Sequence, residues 1–198
     1  NDIADRNFDP LVERTKTRPL AAGQLSVPQA SGLALILAIV ALLLVLQLNR
    51  LTCYYALAGL ALTMLYPLLK RYTFWPQLGL GIAFSWSIPM VFAATNQMLT
   101  LNTCVLFITA LVWPIAYDTM YAMADRHNDV QLGVKSTAVL FGDHTIKFIT
   151  GVQIIFTALL LSLGSVYKLH LAYYLTLILI APCYAWQHWL LQQHNPKA

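Results

Sequence analysis

Six long apolar runs, each free of charged side chains, constrain the fold of this chain more than any other feature. They cover residues 30–48, 51–69, 74–94, 99–117, 148–166 and 169–191. An α-helix needs about 20 apolar residues to cross the hydrocarbon core of a bilayer. The pattern therefore predicts an all-α, integral membrane, multi-helix bundle with about six transmembrane helices. Prolines within four of the runs are expected to kink or pack helices, which spanning helices tolerate: Pro67, Pro89, Pro114 and Pro182.

Composition supports the membrane interpretation and excludes an ordinary soluble domain. Of 198 residues, 59% are hydrophobic and only 10% are charged, and the mean hydropathy is +0.63. The net charge of +4 is explained by the loops, so nothing indicates nucleic-acid binding. The three cysteines fall in different runs, and no Cys-x-x-Cys or Cys/His spacing suggests zinc or haem.

The basic residues show which loops share a side of the membrane. Six spans place the N-terminal arm, residues 70–72, residues 122–147 and the C-terminal tail on one side, with 10 of the 12 Lys and Arg residues. Only Arg50 and Lys168 lie on the other side. Because cytoplasmic loops carry an excess of Lys and Arg, the first side is predicted to be cytoplasmic.

Most of the acidic residues belong to a repeated hexapeptide on that same side. ADRNFD at residues 4–9 recurs as ADRHND at residues 124–129, and six of the eight acids lie in or beside the two copies. Residues spaced by four or seven share one face of a helix. Helical structure would thus align two sets of polar side chains: Asn1, Asp5 and Asp9 in the first, and Asp118, Asp125 and Asp129 in the second.

Clustered carboxylates at a helix C-terminus are unfavourable unless a cation compensates for them. Oxygen ligands without His or Cys point to a hard ion, Mg²⁺ above all, which binds through few carboxylates together with substrate phosphates. The plainer alternative is a solvated cap in which the acids pair with Arg6, Arg14, Arg126 and Lys135. The duplicated, phased arrangement favours a metal site.

Two acidic clusters facing each other are suited to hold Mg²⁺ against a diphosphate, and apolar helices below suit an isoprenoid tail. The metal would polarise the leaving group, and basic residues would share its developing charge. Candidates on the correct side are Arg18, Lys70, Arg71 and Lys135. The rings of Tyr66, Tyr117 and Tyr121 are candidates to stabilise an allylic cation.

Two segments carry a resemblance to a known family. NDIADRNFDPLVERTKTRPL at residues 1–20 and DTMYAMADRHNDVQLGVKSTAVLFG at residues 118–142 resemble the two Asp-rich regions of the UbiA-type membrane prenyltransferases. The segment between them, which includes MLYPLLKRYTFWPQLGLG at residues 64–81, is most similar to the 4-hydroxybenzoate polyprenyltransferases of bacteria. The resemblance covers nearly the whole chain.

The resemblance implies transfer of a polyprenyl group from its diphosphate to an aromatic acceptor, with 4-hydroxybenzoate as the first choice, in ubiquinone synthesis by a multi-pass protein of the cell inner membrane. It implies that Mg²⁺ is held by Asn1, Asp5, Asp9, Asp118, Asp125 and Asp129. It implies catalytic roles for Asp5, Asp118, Asp125 and Arg71. It implies substrate binding by Asn1, Arg18, Lys70, Arg71, Tyr121 and Lys135. Arg71 is the candidate for the acceptor carboxylate because a guanidinium binds a carboxylate with two hydrogen bonds.

The chain departs from the family pattern in two respects. About two spans before Asn1 and one after Ala198 are expected to be missing, so residues 1–198 are interpreted as one incomplete prenyltransferase domain. His127 and Asn128 stand where relatives commonly carry more acid, while Asp125 and Asp129 remain. Three alternatives stay open: a cation-coupled transporter, a relative with a menaquinone-type or haem-type acceptor, and a noncatalytic membrane fragment.

Overall fold

The computed structural model describes residues 2–95 and 98–193, and this part of the chain is a bundle of helices without β-strands. Two short 3₁₀ turns, Asp9–Leu11 and Gly142–His144, accompany the α-helices. The helices are α1 (Asp2–Asp5), α2 (Val27–Val45), α3 (Arg50–Tyr72), α4 (Pro76–Ser85), α5 (Ser87–Ala94), α6 (Leu101–Leu132), α7 (Thr137–Phe141), α8 (Thr145–Val166), α9 (Leu171–Ile178) and α10 (Ile180–Gln193).

Within residues 2–95 and 98–193, five helical segments are long and apolar enough to cross a membrane. They are Val27–Val45, Arg50–Tyr72, Pro76–Ala94, Leu101–Leu132 and Thr137–Val166. Their outward surfaces are apolar, and none of the residues of α2 is buried. This is the pattern of helices solvated by lipid, where no water can satisfy exposed backbone groups. The predicted all-α membrane architecture is confirmed.

The sixth predicted span is not one continuous helix. It divides into α9 and α10 at Leu179, and the cause is Pro182. Proline lacks an amide hydrogen, and its ring collides with the carbonyl four residues earlier, which here belongs to Ile178. Pro89 acts in the same way on Ser85, where α4 ends before α5 begins.

Helix α6 extends far beyond the apolar run that predicted it. Its 32 residues span ~48 Å at 1.5 Å per residue, whereas the hydrocarbon core is about 30 Å thick. The helix ends at Gly133, whose φ of 68° is left-handed, a conformation that favours glycine. The predicted dipole penalty therefore applies only to Asp129, since the effect falls off within the last turn.

The first Asp-rich segment is less regular than the predicted helical face. Helix α1 stops at Asp5, and a 3₁₀ turn starts at Asp9. Pro10 explains the interruption, because in a continuous helix its ring would meet the carbonyl of Arg6. Asp5 and Asp9 are nevertheless both buried, so the two carboxylates still face the protein interior.

The centre of the bundle lies where α6 packs between α4 and α8. Ile115, Ala116 and Val152 form its buried apolar cluster. At Gly81 of α4, a Cβ would lie 2.5 Å from the carbonyl oxygen of Leu111 in α6. The missing side chain thus allows the two backbones to meet, as is typical of small residues between membrane helices. This contact places the start of α4 beside the acidic part of α6.

Candidate active site

A polar cavity of about 200 Å³ lies between the N-terminal segment, the end of α3, the start of α4 and the C-terminal half of α6. Its charged lining consists of five aspartates and four basic residues: Asp5, Asp9, Asp118, Asp125, Asp129, Arg14, Arg18, Lys70 and Lys135. Tyr66 and Tyr121 also line it, together with apolar side chains such as Val12 and Leu80. Residues 120 positions apart in sequence therefore share one cavity.

The two aspartates of the first hexapeptide are each paired with a basic residue. The Nζ of Lys70 lies 2.6 Å from Oδ2 of Asp5. Arg18 Nη1 is 3.2 Å from Oδ2 of Asp9, and it also reaches Asp2 at 3.0 Å. The backbone carbonyl of Asp9 accepts a hydrogen bond from the hydroxyl of Thr15. The Lys70–Asp5 pair holds the N-terminal segment against the end of α3, whereas the other contacts lie within that segment.

Helix α6 supplies the other three carboxylates from one face, as the seven-and-four spacing predicted. Asp125 accepts hydrogen bonds from Nε and Nη2 of Arg14, so the two side chains form a bidentate ion pair. This hydrogen bond is the main cause that raises the pKa of the Arg14 guanidinium above its ordinary value. Asp118 lines the cavity together with the side chain of Gln77.

Most of the predicted substrate-binding residues lie in the cavity, but Arg71 does not. Arg18, Lys70, Tyr121 and Lys135 contribute to the lining. Arg71 donates a hydrogen bond of 2.8 Å to the carbonyl of Ala4, and its guanidinium stacks over the ring of Phe8 at 5.7 Å. In this position Arg71 holds the N-terminal segment. Asn1 lies outside the described residues.

The lining includes Arg14 and Gln77, neither of which was among the sequence candidates for the site. In the sequence, Arg14 is a candidate only for an ion pair of the solvated-cap alternative, and its pairing with Asp125 is what that alternative predicts. Gln77 was overlooked entirely. Its signal was available, because it is the only side-chain amide in the apolar run 74–94, and an isolated polar group in such a run requires a partner.

The donor set fits a hard cation, although the described residues contain no preassembled group of three metal-ligating side chains. All candidate ligands in the cavity are carboxylate oxygens, which suit Mg²⁺. The Oδ1 of Asp5 is buried and has no hydrogen-bond partner among the described residues. Mg²⁺ typically uses one or two carboxylates together with water and substrate phosphates. A loose arrangement of acids is therefore compatible with its chemistry.

Comparisons with known proteins identify the family. A family model described as the UbiA prenyltransferase family matches residues 1–198. The chain belongs to the UbiA family. Its relatives include a 4-hydroxybenzoate octaprenyltransferase of Tolumonas auensis, 46% identical over all of this chain and 69% of the relative. The protein of that name from Vibrio parahaemolyticus is 46% identical over 98% of this chain and 69% of its own length.

Solved structures of UbiA homologues share the fold. The apo structure of a homologue from Aeropyrum pernix K1 has a TM-score of 0.85 and 23% identity, and the match covers 98% of this chain and 74% of that one. A homologue from Archaeoglobus fulgidus bound to GPP and Mg²⁺ has a TM-score of 0.68 and 16% identity, over 98% and 69% of the two chains. This UbiA-family chain is thus a multi-pass membrane protein with the helical arrangement of those homologues.

Proposed function

We propose that this chain transfers a polyprenyl group from a polyprenyl diphosphate to 4-hydroxybenzoate, a step of ubiquinone synthesis in the cell inner membrane. The observation that carries the proposal is the single cavity in which both Asp-rich segments meet four basic residues. Relatives that are 46% identical and named 4-hydroxybenzoate octaprenyltransferases support the choice of substrates. The family and the cavity favour an enzyme over a cation-coupled transporter.

Mg²⁺ is the proposed cofactor, by analogy with the homologue bound to GPP and Mg²⁺. The residues that would hold it are Asp5, Asp9, Asp118, Asp125 and Asp129, with Asn1 added by the resemblance. When bound, the metal would act as a Lewis acid on the diphosphate leaving group.

The basic residues of the cavity are proposed to bind the diphosphate directly. Lys70 and Arg18 are paired with Asp5 and Asp9, and Lys135 bonds the carbonyl of Tyr72. A charged hydrogen bond from Lys or Arg to a phosphate is stronger than a neutral one. These side chains would stabilise the negative charge that develops as the bond between the allylic carbon and the diphosphate oxygen breaks.

The remaining roles concern the prenyl cation and the acceptor. The faces of Tyr66 and Tyr121, which line the cavity, are proposed to stabilise the allylic cation. The apolar helices would hold the isoprenoid tail in the bilayer. Arg71 is proposed to bind the acceptor carboxylate, which requires its guanidinium to exchange the carbonyl of Ala4 for the substrate.

The proposal is tested with the purified full-length gene product in detergent or liposomes. With an octaprenyl or shorter diphosphate and Mg²⁺, 4-hydroxybenzoate should be prenylated, and removal of Mg²⁺ with a chelator should stop the reaction. Prenylation of a naphthoate acceptor or of haem, with none of 4-hydroxybenzoate, would overturn the acceptor assignment. Absence of transfer to every acceptor would overturn the enzyme assignment.

A further inference from the structure

Lys135 differs from the other basic residues of the cavity in its partners. The other three are each within salt-bridge distance of an aspartate, whereas Lys135 forms no salt bridge within residues 2–95 and 98–193. Its Nζ donates to the carbonyl of Tyr72 at 3.2 Å and lies 5.5 Å from the centre of the Phe74 ring. The charge of Lys135 can therefore meet an anion without first breaking an ion pair.

The backbone that carries Lys135 is bonded to two other helices. Lys135 lies in the short connection between α6 and α7, residues 133–136. Its own N–H donates to the carbonyl of Lys70 in α3 at 2.9 Å. Two residues later, the N–H of Thr137 donates to Oε1 of Gln77 in α4 at 3.2 Å. These two hydrogen bonds fix where the connection passes the cavity.

The hydrogen bond to α4 is buried and continues into α6. Gln77 is 2% exposed, and Thr119 and Thr137 are fully buried. The hydroxyls of Thr119 and Thr137 are 2.7 Å apart. Because the hydroxyl of Thr119 donates to the carbonyl of Ile115 at 2.6 Å, Thr137 must be the donor between them. Gln77, Thr137 and Thr119 thus form one polar network that joins α4, α7 and α6.

This polar network gives direction to the backbone of Thr137. Buried polar groups are costly unless they are hydrogen-bonded, so apolar side chains would hold the three helices together at a lower cost. Hydrogen bonds depend on angle as well as distance, and a fully bonded buried network rigidifies its surroundings. The backbone held in this way begins two residues after Lys135, whose side chain lines the cavity.

Building on the proposed function, we propose that Gln77 and Thr119 are positioning residues, which act through Thr137 to hold the connection that presents Lys135 to the diphosphate. The Nζ of Lys135 exchanges the carbonyl of Tyr72 for a phosphate oxygen while its backbone stays in place. A group that is already positioned binds a ligand more tightly, because less freedom is lost on binding. Loss of either positioning residue therefore weakens the binding of diphosphate.

The test measures binding of inorganic pyrophosphate rather than turnover. Its Kd is determined by calorimetric titration of the purified full-length protein in detergent at a constant, saturating Mg²⁺ concentration. Lys135→Met should raise the Kd by about tenfold or more, because a charge-assisted hydrogen bond is lost. Gln77→Met and Thr119→Val should each raise the Kd by about threefold or more. Thr119→Ser keeps the hydroxyl and should leave the Kd unchanged.

A double variant and a control distinguish positioning from a general effect on the fold. If Gln77 acts through Lys135, Gln77→Met should cause no further rise of the Kd in a Lys135→Met background. Gln153→Met is the matched control, because Gln153 is a buried amide, 1% exposed, that bonds Gln187 in α10 at 3.1 Å. Its loss should lower the melting temperature of the free protein and leave the Kd unchanged.

Each result decides either the role of the polar network or the site on which it rests. If Lys135→Met weakens binding but Gln77→Met and Thr119→Val stay within about twofold of the unchanged protein, the network only braces the fold and the proposal is overturned. A full further loss in the double variant, or normal binding by Lys135→Met, would also overturn it. If Gln77→Met does not fold, the Kd of Thr119→Val decides. If the unchanged protein binds no pyrophosphate, the diphosphate site fails and the role of the network fails with it.

Discussion

At the scale of single residues, the charges of the cavity are largely balanced by direct pairing. Three ion pairs join an acid to a base: Lys70 with Asp5, Arg18 with Asp9, and Arg14 with Asp125. Removing one member of a buried ion pair leaves an uncompensated charge. The same groups are suited to bind a metal diphosphate, because the carboxylates can bind the metal and the basic side chains can bind the phosphates.

Asp5→Asn and Asp125→Asn are expected to abolish prenyl transfer at limiting Mg²⁺, since each removes a proposed metal ligand from the cavity. Membrane insertion should be unaffected. Turnover of the full-length protein at graded Mg²⁺ concentrations measures the effect. Asp143→Asn is the matched control, because its carboxylate is 80% exposed and lies outside the cavity lining. Near-normal turnover in either cavity variant would contradict the assignment of these carboxylates as Mg²⁺ ligands.

Arg71→Ala is expected to raise the KM for 4-hydroxybenzoate about ten- to a hundredfold while the KM for the diphosphate changes little. Arg71→Lys should rescue only part of the loss, because an ammonium lacks the planar fork. Arg6→Ala is the control, since Arg6 also donates to a backbone carbonyl in the N-terminal segment. If both KM values rise together in Arg71→Ala, the side chain serves Ala4 and the segment rather than the acceptor.

At the scale of helices, the residues at which helices end decide which groups reach the cavity. Helix α6 continues without interruption through its three aspartates, although Pro114 lies inside it. It then stops at Gly133, after which the backbone N–H of Lys135 donates to the carbonyl of Lys70 at 2.9 Å. This sharp end brings Lys135 to the end of α3 and into the cavity.

Gly133→Ala tests the importance of that helix end. A Cβ at Gly133 meets no atom within 4 Å, so the cost is that of a left-handed backbone, about 1–2 kcal/mol of unfolding free energy. Thermal unfolding in detergent should show the loss as a lower melting temperature. Gly151→Ala is the control, because Gly151 also has space but lies within α8 with no positive φ. Gly151→Ala should leave the free energy of unfolding unchanged or raise it by up to about 1 kcal/mol. Equal losses of stability in the two variants would contradict the importance of the left-handed helix end at Gly133.

At the scale of the whole molecule, the Arg14–Asp125 ion pair joins the N-terminal segment to the end of α6. Both ends must therefore emerge on the same side of the membrane. The ten-to-two distribution of Lys and Arg predicts that this side is cytoplasmic. The bundle then presents its charged cavity to the cytoplasm and its apolar helices to lipid.

This topology can be checked by cysteine labelling in a background without Cys53, Cys104 and Cys183. Tyr72→Cys and Gln131→Cys should react with an impermeant reagent from the cytoplasmic side, whereas Lys168→Cys should react from the opposite side. These three positions are exposed. Labelling of Tyr72→Cys and Gln131→Cys from different sides would separate the elements that build the cavity and contradict a shared site.

The sequence by itself determined the class of fold and the location of the acids. Uncharged runs of about 20 residues can satisfy their backbone in lipid only as helices, and this local requirement needs no tertiary information. Prediction was weaker at the sixth run and after Asp5, where Pro182 and Pro10 interrupt the helices. Both effects were readable from the sequence, because proline acts on the carbonyl four residues before it.

Only the tertiary structure decided which side chains meet. Arg71 is adjacent to Lys70 in sequence, yet Lys70 bonds Asp5 in the cavity while Arg71 bonds the carbonyl of Ala4 outside its lining. Neighbours on a helix point in directions about 100° apart, so only packing selects the one that enters the site. The position of Gln77 was decided in the same way, because α4 and α6 approach closely at Gly81 and Gln77 then lines the same cavity as Asp118.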